Sequence, residues 1–162
     1  MKKLVITVAV NGSLTSREMN PNVPLTPGEI GEDAARCREA GAAMVHTHAR
    51  NPEGKASLCP DTFEKIHHAI VARSDIIVQL STGGRADMNI EARGEPVSRI
   101  RPEMASLTTG SVNFPDQVYV NSEQDVEYLA GVLAEAGTKP EMEIFEAGMV
   151  ANALRLAEKG LV

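Results

Sequence analysis

Short apolar runs alternate along the chain with longer stretches whose apolar residues recur at helical spacing. The run "LVITVAV" at 4–10 is continuous and β-branched, the pattern of a strand buried on both faces. A polar loop, "NGSLTSREMNPNVPLT" at 11–26, follows it. Thr26, Pro27 and Glu29 then predict a helix start: Thr26 caps, Pro27 takes the first helical position and Glu29 closes a capping box. Gly41 stops this helix after about Ala40. The same signals predict further strands at 42–48, 75–80, 104–108 and 141–145, and helices at 61–73, 92–99, 122–137 and 148–159. Ser122 is the cap and Gly137 the stop of the fourth helix.

Strands alternating with helices imply right-handed βαβ units and a parallel sheet. The strands begin at intervals of roughly 30–40 residues, the size of a βα unit, and five such units fit the chain. Five strands complete a doubly wound sheet. A (β/α)8 barrel needs eight units, so on that plan the chain is an incomplete barrel. No linker or low-complexity segment interrupts the pattern, and residues 1–162 are expected to form a single domain.

Composition narrows the class. Apolar residues make up 43 % and charged residues 23 %, ordinary for a globular protein. Aromatics are only 3 % and Trp is absent, so the core must be built from Ala, Val, Ile, Leu and Met. The net charge is −6 and no basic cluster stands out, which argues against a nucleic-acid partner. An anionic substrate needs only local positive charge. Cys37 and Cys59 form no CxxC and are expected to be free, buried or half-buried thiols in a reducing cytosol. "MKKLVITVAVNG" reads as a strand and lacks a small-residue cleavage site, and no stretch approaches the ~20 apolar residues of a membrane helix. A cytoplasmic setting, away from the membrane, is the expectation.

Candidate chemistry centres on "MVHTHARNPEG" at 44–54. Side chains at i and i+2 of a strand share a face, so His46 and His48 project together from the end of the second strand. In both architectures ligands gather at the carboxyl ends of the strands. Two adjacent imidazoles there make a metal half-site; the alternative is a pair of polar residues held by hydrogen bonds. His67 and His68 are adjacent on a helix and read as surface. Ser81 and Thr82 precede Gly83 and Gly84, whose backbone N–H groups can approach an anion closely. Ser106, Thr108 and Thr109 close the fourth strand, again before a glycine. Glu141, Glu143 and Glu146 lie in or just after the fifth. Glu141 and Glu143 share a face and need a partner if that strand is buried. Arg50 and Arg85 are candidate anion contacts. His46, His48, Ser81, Thr82, Ser106, Thr109 and Glu143 are expected to converge on one rim as a metal site for a small, oxygen-rich anion.

"HTHARNPEGKAS", "QLSTGG", "RPEMASLTTGSVNF" and "KPEMEIFEAGMV", with "VAVNGS" and "NPNVPLTPGEI" before them, resemble segments of the β-keto acid cleavage enzymes, the family of the 3-keto-5-aminohexanoate cleavage enzyme. The likeness runs from Leu4 to Val162. It implies a (β/α)8 TIM barrel, here an incomplete one of about five units from strand one to helix five. It also implies a divalent metal, usually zinc, with acetyl-CoA as co-substrate. Members turn a 3-keto acid and acetyl-CoA into acetoacetate and a new acyl-CoA by Claisen and retro-Claisen steps. On this resemblance His46 and His48 fall on metal ligands. Ser81 and Ser106 fall on substrate-contacting hydroxyls, and Glu143 on a site carboxylate. The third metal ligand of the family lies beyond the length of this chain, which is therefore expected to be a fragment with incomplete activity. Leu14 stands where enzymes for the amino-bearing substrate carry Glu, so a neutral or apolar substrate tail is expected. With Arg50, Thr82, Gly83, Thr108 and Thr109, Leu14 completes the expected substrate contacts. A barrel cut after five strands would expose strand edges, so a homo-oligomer is expected. The rival readings are a metal-dependent hydrolase or aldolase on a similar barrel, and a non-catalytic α/β fragment.

Overall fold

A computed structural model describes residues 4–84, 88–115 and 117–162 of the chain. Strand is followed by helix five times, and the architecture is α/β, an incomplete barrel of the TIM type. The chain divides into two compact units, Met1–Ser81 and Thr82–Val162.

The first unit runs β1 (Thr7–Ala9), α1 (Pro27–Glu39), β2 (Met44–Thr47), β3 (Ala49–Arg50), β4 (Ala56–Ser57), α2 (Pro60–Val71) and β5 (Ile77–Leu80). β1 pairs parallel with β2, and β2 with β5. Val45, Val78 and Leu80 are fully buried on these strands, and Ile30, Phe63, Ile66 and Ile70 are buried on α1 and α2. The predicted box at α1 forms: Thr26 Oγ1 accepts from the Glu29 N–H, and the Glu29 carboxylate accepts from the Thr26 N–H. The Thr26 N–H, then Arg17, hold the Glu29 carboxyl down at about 2. Gly31 is where α1 and α2 meet. A Cβ there would lie 2.6 Å from the Ala69 carbonyl oxygen, so only glycine allows the helices this close.

The second unit runs α3 (Ile90–Ile100), β6 (Met104–Thr108), β7 (Val112–Asn113), β8 (Val118–Tyr119), α4 (Glu123–Ala136), β9 (Lys139–Glu143) and α5 (Ala147–Glu158). β6 and β9 pair parallel, Met104 against Lys139 through Thr108 against Glu143. Leu107 packs with Val126, Leu129, Ala130 and Leu156, and Ala105 with Val97 and Leu133. Ser122 caps α4 with Asp125 completing a box, and Gly137 ends it at φ 70°.

Four expectations change. The run at 4–10 is not buried on both faces: only Thr7–Ala9 is strand, and Leu4 and Val5 are 83 % and 63 % exposed. β1 takes a ladder partner on one side, β2, and so behaves as an edge. The fifth strand lies two residues earlier than predicted and carries only exposed and half-buried residues, so Glu141 sits at the surface rather than in a core. The two short antiparallel hairpins, β3–β4 and β7–β8, are additions that pair only two residues on each strand; so brief a run carries no periodicity to read. Cys59 is exposed, because it is the residue before Pro60 at the start of α2, while Cys37 is half-buried; both are free thiols.

Candidate active site

In the first unit the parallel register sets the geometry. His46 lies opposite Gln79 on the neighbouring strand. The two imidazoles share a face, as the spacing requires, and their Nε2 atoms approach to 3.1 Å, with the rings inclined at 73°. His46 Nδ1 lies 2.7 Å from Gln79 Oε1, within hydrogen-bond distance. Just past the strand, Asn11 brackets the His48 backbone: its Oδ1 accepts from the His48 N–H at 2.9 Å and its Nδ2 donates to the His48 carbonyl at 3.0 Å. Burial pushes His48 down to about 3, with the neighbouring His46 and Arg50 adding to it, so His48 is neutral at pH 7 and keeps a nitrogen lone pair.

This pair fits a metal ion. Two nitrogens bound tetrahedrally to one zinc lie about 3.3 Å apart, close to the 3.1 Å seen between the two Nε2 atoms. Among the described residues no three His, Cys, Asp or Glu side chains cluster for a metal, so His46 and His48 form a half-site. Water or groups outside this set would complete it.

Arg50, 4 % exposed, directs its guanidinium at the backbone. It donates to the carbonyls of Gly12 at 2.7 Å, Gly54 at 2.5 Å and Thr15 at 2.9 Å. It thereby pins the loop after β1 to the β3–β4 hairpin. Leu14 stands between two of those carbonyls in the sequence and is 57 % exposed. Ser81 is buried, and its N–H continues the ladder to the Thr47 carbonyl at 3.1 Å. His67 and His68 lie on α2, half-buried and exposed.

The second unit gathers its own polar groups at the carboxyl end of β6. Thr82 donates its N–H to Ser106 Oγ at 3.3 Å and its hydroxyl to the Ser106 carbonyl at 2.7 Å. Thr108 donates its hydroxyl to Glu143 Oε2, and Thr109 to the Glu143 carbonyl. Thr82, Ser106, Thr108 and Thr109 are all buried, and Gly83 and Glu143 half-buried. Arg93 sits beneath them. It donates to the Thr82 carbonyl at 2.8 Å, Tyr119 Oη at 2.6 Å and Asn121 Oδ1 at 2.7 Å. Gly84 leaves room for its stem: a Cβ there would lie 2.9 Å from Arg93 Cδ. Glu146 is the residue before α5 and its side chain makes no capping bond. Arg85 lies outside the described residues.

Asn11, Gln79, Arg93 and Asn121 carry much of this order and escaped the reading of the sequence. Gln79 left one signal, a lone amide inside the otherwise apolar strand "DIIVQL". Asn11 and Asn121 sit in loops, where an asparagine is ordinary.

The family model of the beta-keto acid cleavage enzymes matches residues 3–162. The chain is 41 % identical to the 3-keto-5-aminohexanoate cleavage enzyme of Acetoanaerobium sticklandii, covering 99 % of this chain and 59 % of that protein. It is 42 % identical to the 3-oxoadipate:acetyl-CoA acetyltransferase of Cupriavidus necator, over 98 % of this chain and 55 % of that one. The chain thus spans less than two thirds of the length of these relatives. Among solved structures, ObcA in a binary complex with oxaloacetate superposes with a TM-score of 0.78 at 27 % identity, covering 87 % of this chain and 35 % of that chain. Motifs, fold and relatives agree, and the chain belongs to the beta-keto acid cleavage enzyme family.

Proposed function

We propose that the chain is the N-terminal portion of a single barrel domain of an acyltransferase that cleaves a 3-keto acid with acetyl-CoA, giving acetoacetate and a new acyl-CoA. The convergence of the His46 and His48 Nε2 atoms to 3.1 Å carries the reading, because two presented imidazoles are the start of a metal site at a strand end. Zinc, or another divalent ion held by His46 and His48, would supply a Lewis acid for negative charge developing on the keto acid's oxygens.

The chain's own groups then have defined tasks. The Ser106 hydroxyl accepts from the Thr82 N–H and keeps its own proton to donate to a substrate oxygen. Ser81 is the second hydroxyl of this reading, and Thr82, Gly83, Thr108 and Thr109 are its further substrate contacts. Thr108 holds Glu143 by one carboxylate oxygen, Oε2, and in this reading Oε1 is the oxygen that would serve the substrate. Arg50 keeps the loop carrying Leu14 in place. Leu14 offers no charge to a cationic tail, so the substrate is a 3-keto acid with a neutral or apolar tail. Two relatives are named for acetyl-CoA-dependent transfer, which supports acyl transfer over a hydrolase or aldolase. The same reading includes a cytoplasmic setting, in keeping with the free thiols, and a homo-oligomer, in keeping with the exposed Leu4, Val5 and Ile6 beside an edge strand. No helix among the described residues is long and apolar enough to cross a membrane.

The test is turnover of neutral and amino-bearing 3-keto acids by purified protein supplied with zinc, followed as acetoacetate and new acyl-CoA. Product should require acetyl-CoA; product formed without it overturns the acyl-transfer reading. Replacing both His46 and His48 by Ala should remove stoichiometric zinc by elemental analysis, and unchanged zinc sinks the metal assignment. Leu14→Glu should shift the kcat/KM ratio toward the amino-bearing acid by ~100-fold. An unchanged ratio removes Leu14 from specificity.

A further inference from the structure

We propose that Gln79 is a positioning residue for the imidazole pair: it fixes His46 as the Nδ1–H tautomer and so turns the His46 Nε2 lone pair toward a metal ion shared with His48. The inference rests on the metal reading above and adds the device that would make the half-site work.

Gln79 is fully buried on β5, directly across the ladder from His46. A buried amide is costly unless it is hydrogen-bonded, and here it is, to a ring nitrogen 2.7 Å away. The facing atom is the carbonyl Oε1, which can only accept. The proton therefore belongs to His46 Nδ1. A neutral imidazole has one N–H, so His46 Nε2 is left with a lone pair. That lone pair faces His48 Nε2 at 3.1 Å. Without metal, one proton must lie between these two nitrogens, and His48 supplies it as the Nε2–H tautomer. Metal binding then changes the tautomer of His48 alone, while His46 is already set. A neutral amide does this without adding a buried charge, and the backbone register, rather than a flexible loop, holds it opposite the ring.

The arrangement can be seen without turnover. In the 162-residue chain, metal-free and labelled with 15N-histidine, long-range proton–nitrogen correlation should show His46 protonated on Nδ1 and His48 on Nε2. Adding zinc should leave His46 as it was and move the His48 proton to Nδ1. Gln79→Met removes the acceptor. It should give His46 a mixture of tautomers and weaken zinc, measured by chelator competition, about 10- to 100-fold. Gln79→Glu keeps an acceptor and should preserve the His46 tautomer while binding zinc at least as tightly as the original chain. An Nε2–H tautomer of His46 in the unaltered chain overturns the proposal, and needs no variant to fold. So does a folded Gln79→Met chain whose zinc affinity stays within about twofold of the original, against the loss expected of a removed outer partner. Should Gln79→Met not fold, a tenfold or greater loss in Gln79→Glu overturns it equally. A chain with His46 held as Nδ1–H that binds no zinc supports Gln79 as the positioning group and overturns the metal reading instead.

Discussion

The two compact units follow the same strand-then-helix plan but use their buried polar groups differently. In Met1–Ser81 the polar atoms at the strand ends are arranged around the two imidazoles. His46 and His48 turn two ring nitrogens toward each other, Gln79 and Asn11 hold them from outside, and Arg50 ties down the neighbouring loop. The buried Thr47 Oγ1 and Ser74 Oγ in this unit have no hydrogen-bond partner among the described residues. In Thr82–Val162 the polar atoms answer one another. Arg93 bonds Thr82, Tyr119 and Asn121, Asn121 bonds Gly110, and Asn152 bonds Thr109. Among the described residues, no buried side-chain polar atom of this unit lacks a partner. The lesson is that polarity in a core has two uses. A network closed on itself contributes to holding its own unit together, whereas a pair of oriented imidazoles is the arrangement that the proposed metal reading calls for.

The sharpest way to break this comparison is to open the closed network. Replacing Arg93 by Met keeps much of the stem but strands the Thr82 carbonyl, the Asn121 Oδ1 and the Tyr119 hydroxyl. Hydrogen bonds to a buried charged group contribute about 1.5–3 kcal/mol each, with strong overlap between them. A loss of about 3 kcal/mol in urea unfolding is expected, with histidine tautomers unchanged. Loss of less than about 1 kcal/mol would mean that water or rearrangement replaces the network.

Next in size is Gly31→Ala, which tests the apolar side of the first unit. Alanine normally favours a helix over glycine by about 1 kcal/mol. Here its Cβ would meet the Ala69 carbonyl oxygen at 2.6 Å, a backbone atom that cannot swing aside. Overpacking of this kind typically costs about 1–3 kcal/mol, so a net loss of about 1–2 kcal/mol is expected. Stabilisation would show that α1 and α2 slide apart freely.

The smallest effect carries the opposite sign. Thr47→Val replaces a fully buried hydroxyl that has no partner by a methyl of nearly the same shape. Valine also suits a strand. A gain of about 1 kcal/mol in thermal or urea unfolding is expected, since an unsatisfied buried polar group costs about 1–3 kcal/mol. A loss would mean the Thr47 hydroxyl has a partner in solution, and the contrast between the units would shrink.

Much of the fold is legible in the sequence because its signals are local. Thr26 with Glu29 and Ser122 with Asp125 form their boxes, Gly137 takes the left-handed conformation, and strand 104–108 falls where its pattern puts it. Burial is less legible. "LVITVAV" reads as an interior strand, yet β1 pairs on one side only, because the number of ladder partners is a property of the assembled sheet. The fifth strand shifts for a related reason: its bounds follow pairing with Met104–Thr108 rather than its own alternation.

By itself the sequence determined the order of strands and helices, the shared face of His46 and His48, and a set of motifs specific enough to mark the family. These follow from backbone geometry repeated every two or 3.6 residues. Only the tertiary structure decided which distant partners each polar group meets. Gln79 reaches His46 across 33 positions, and Arg50 reaches Gly12 across 38. Spacing along a chain fixes which way a side chain faces; strand register and loop packing fix what it finds there.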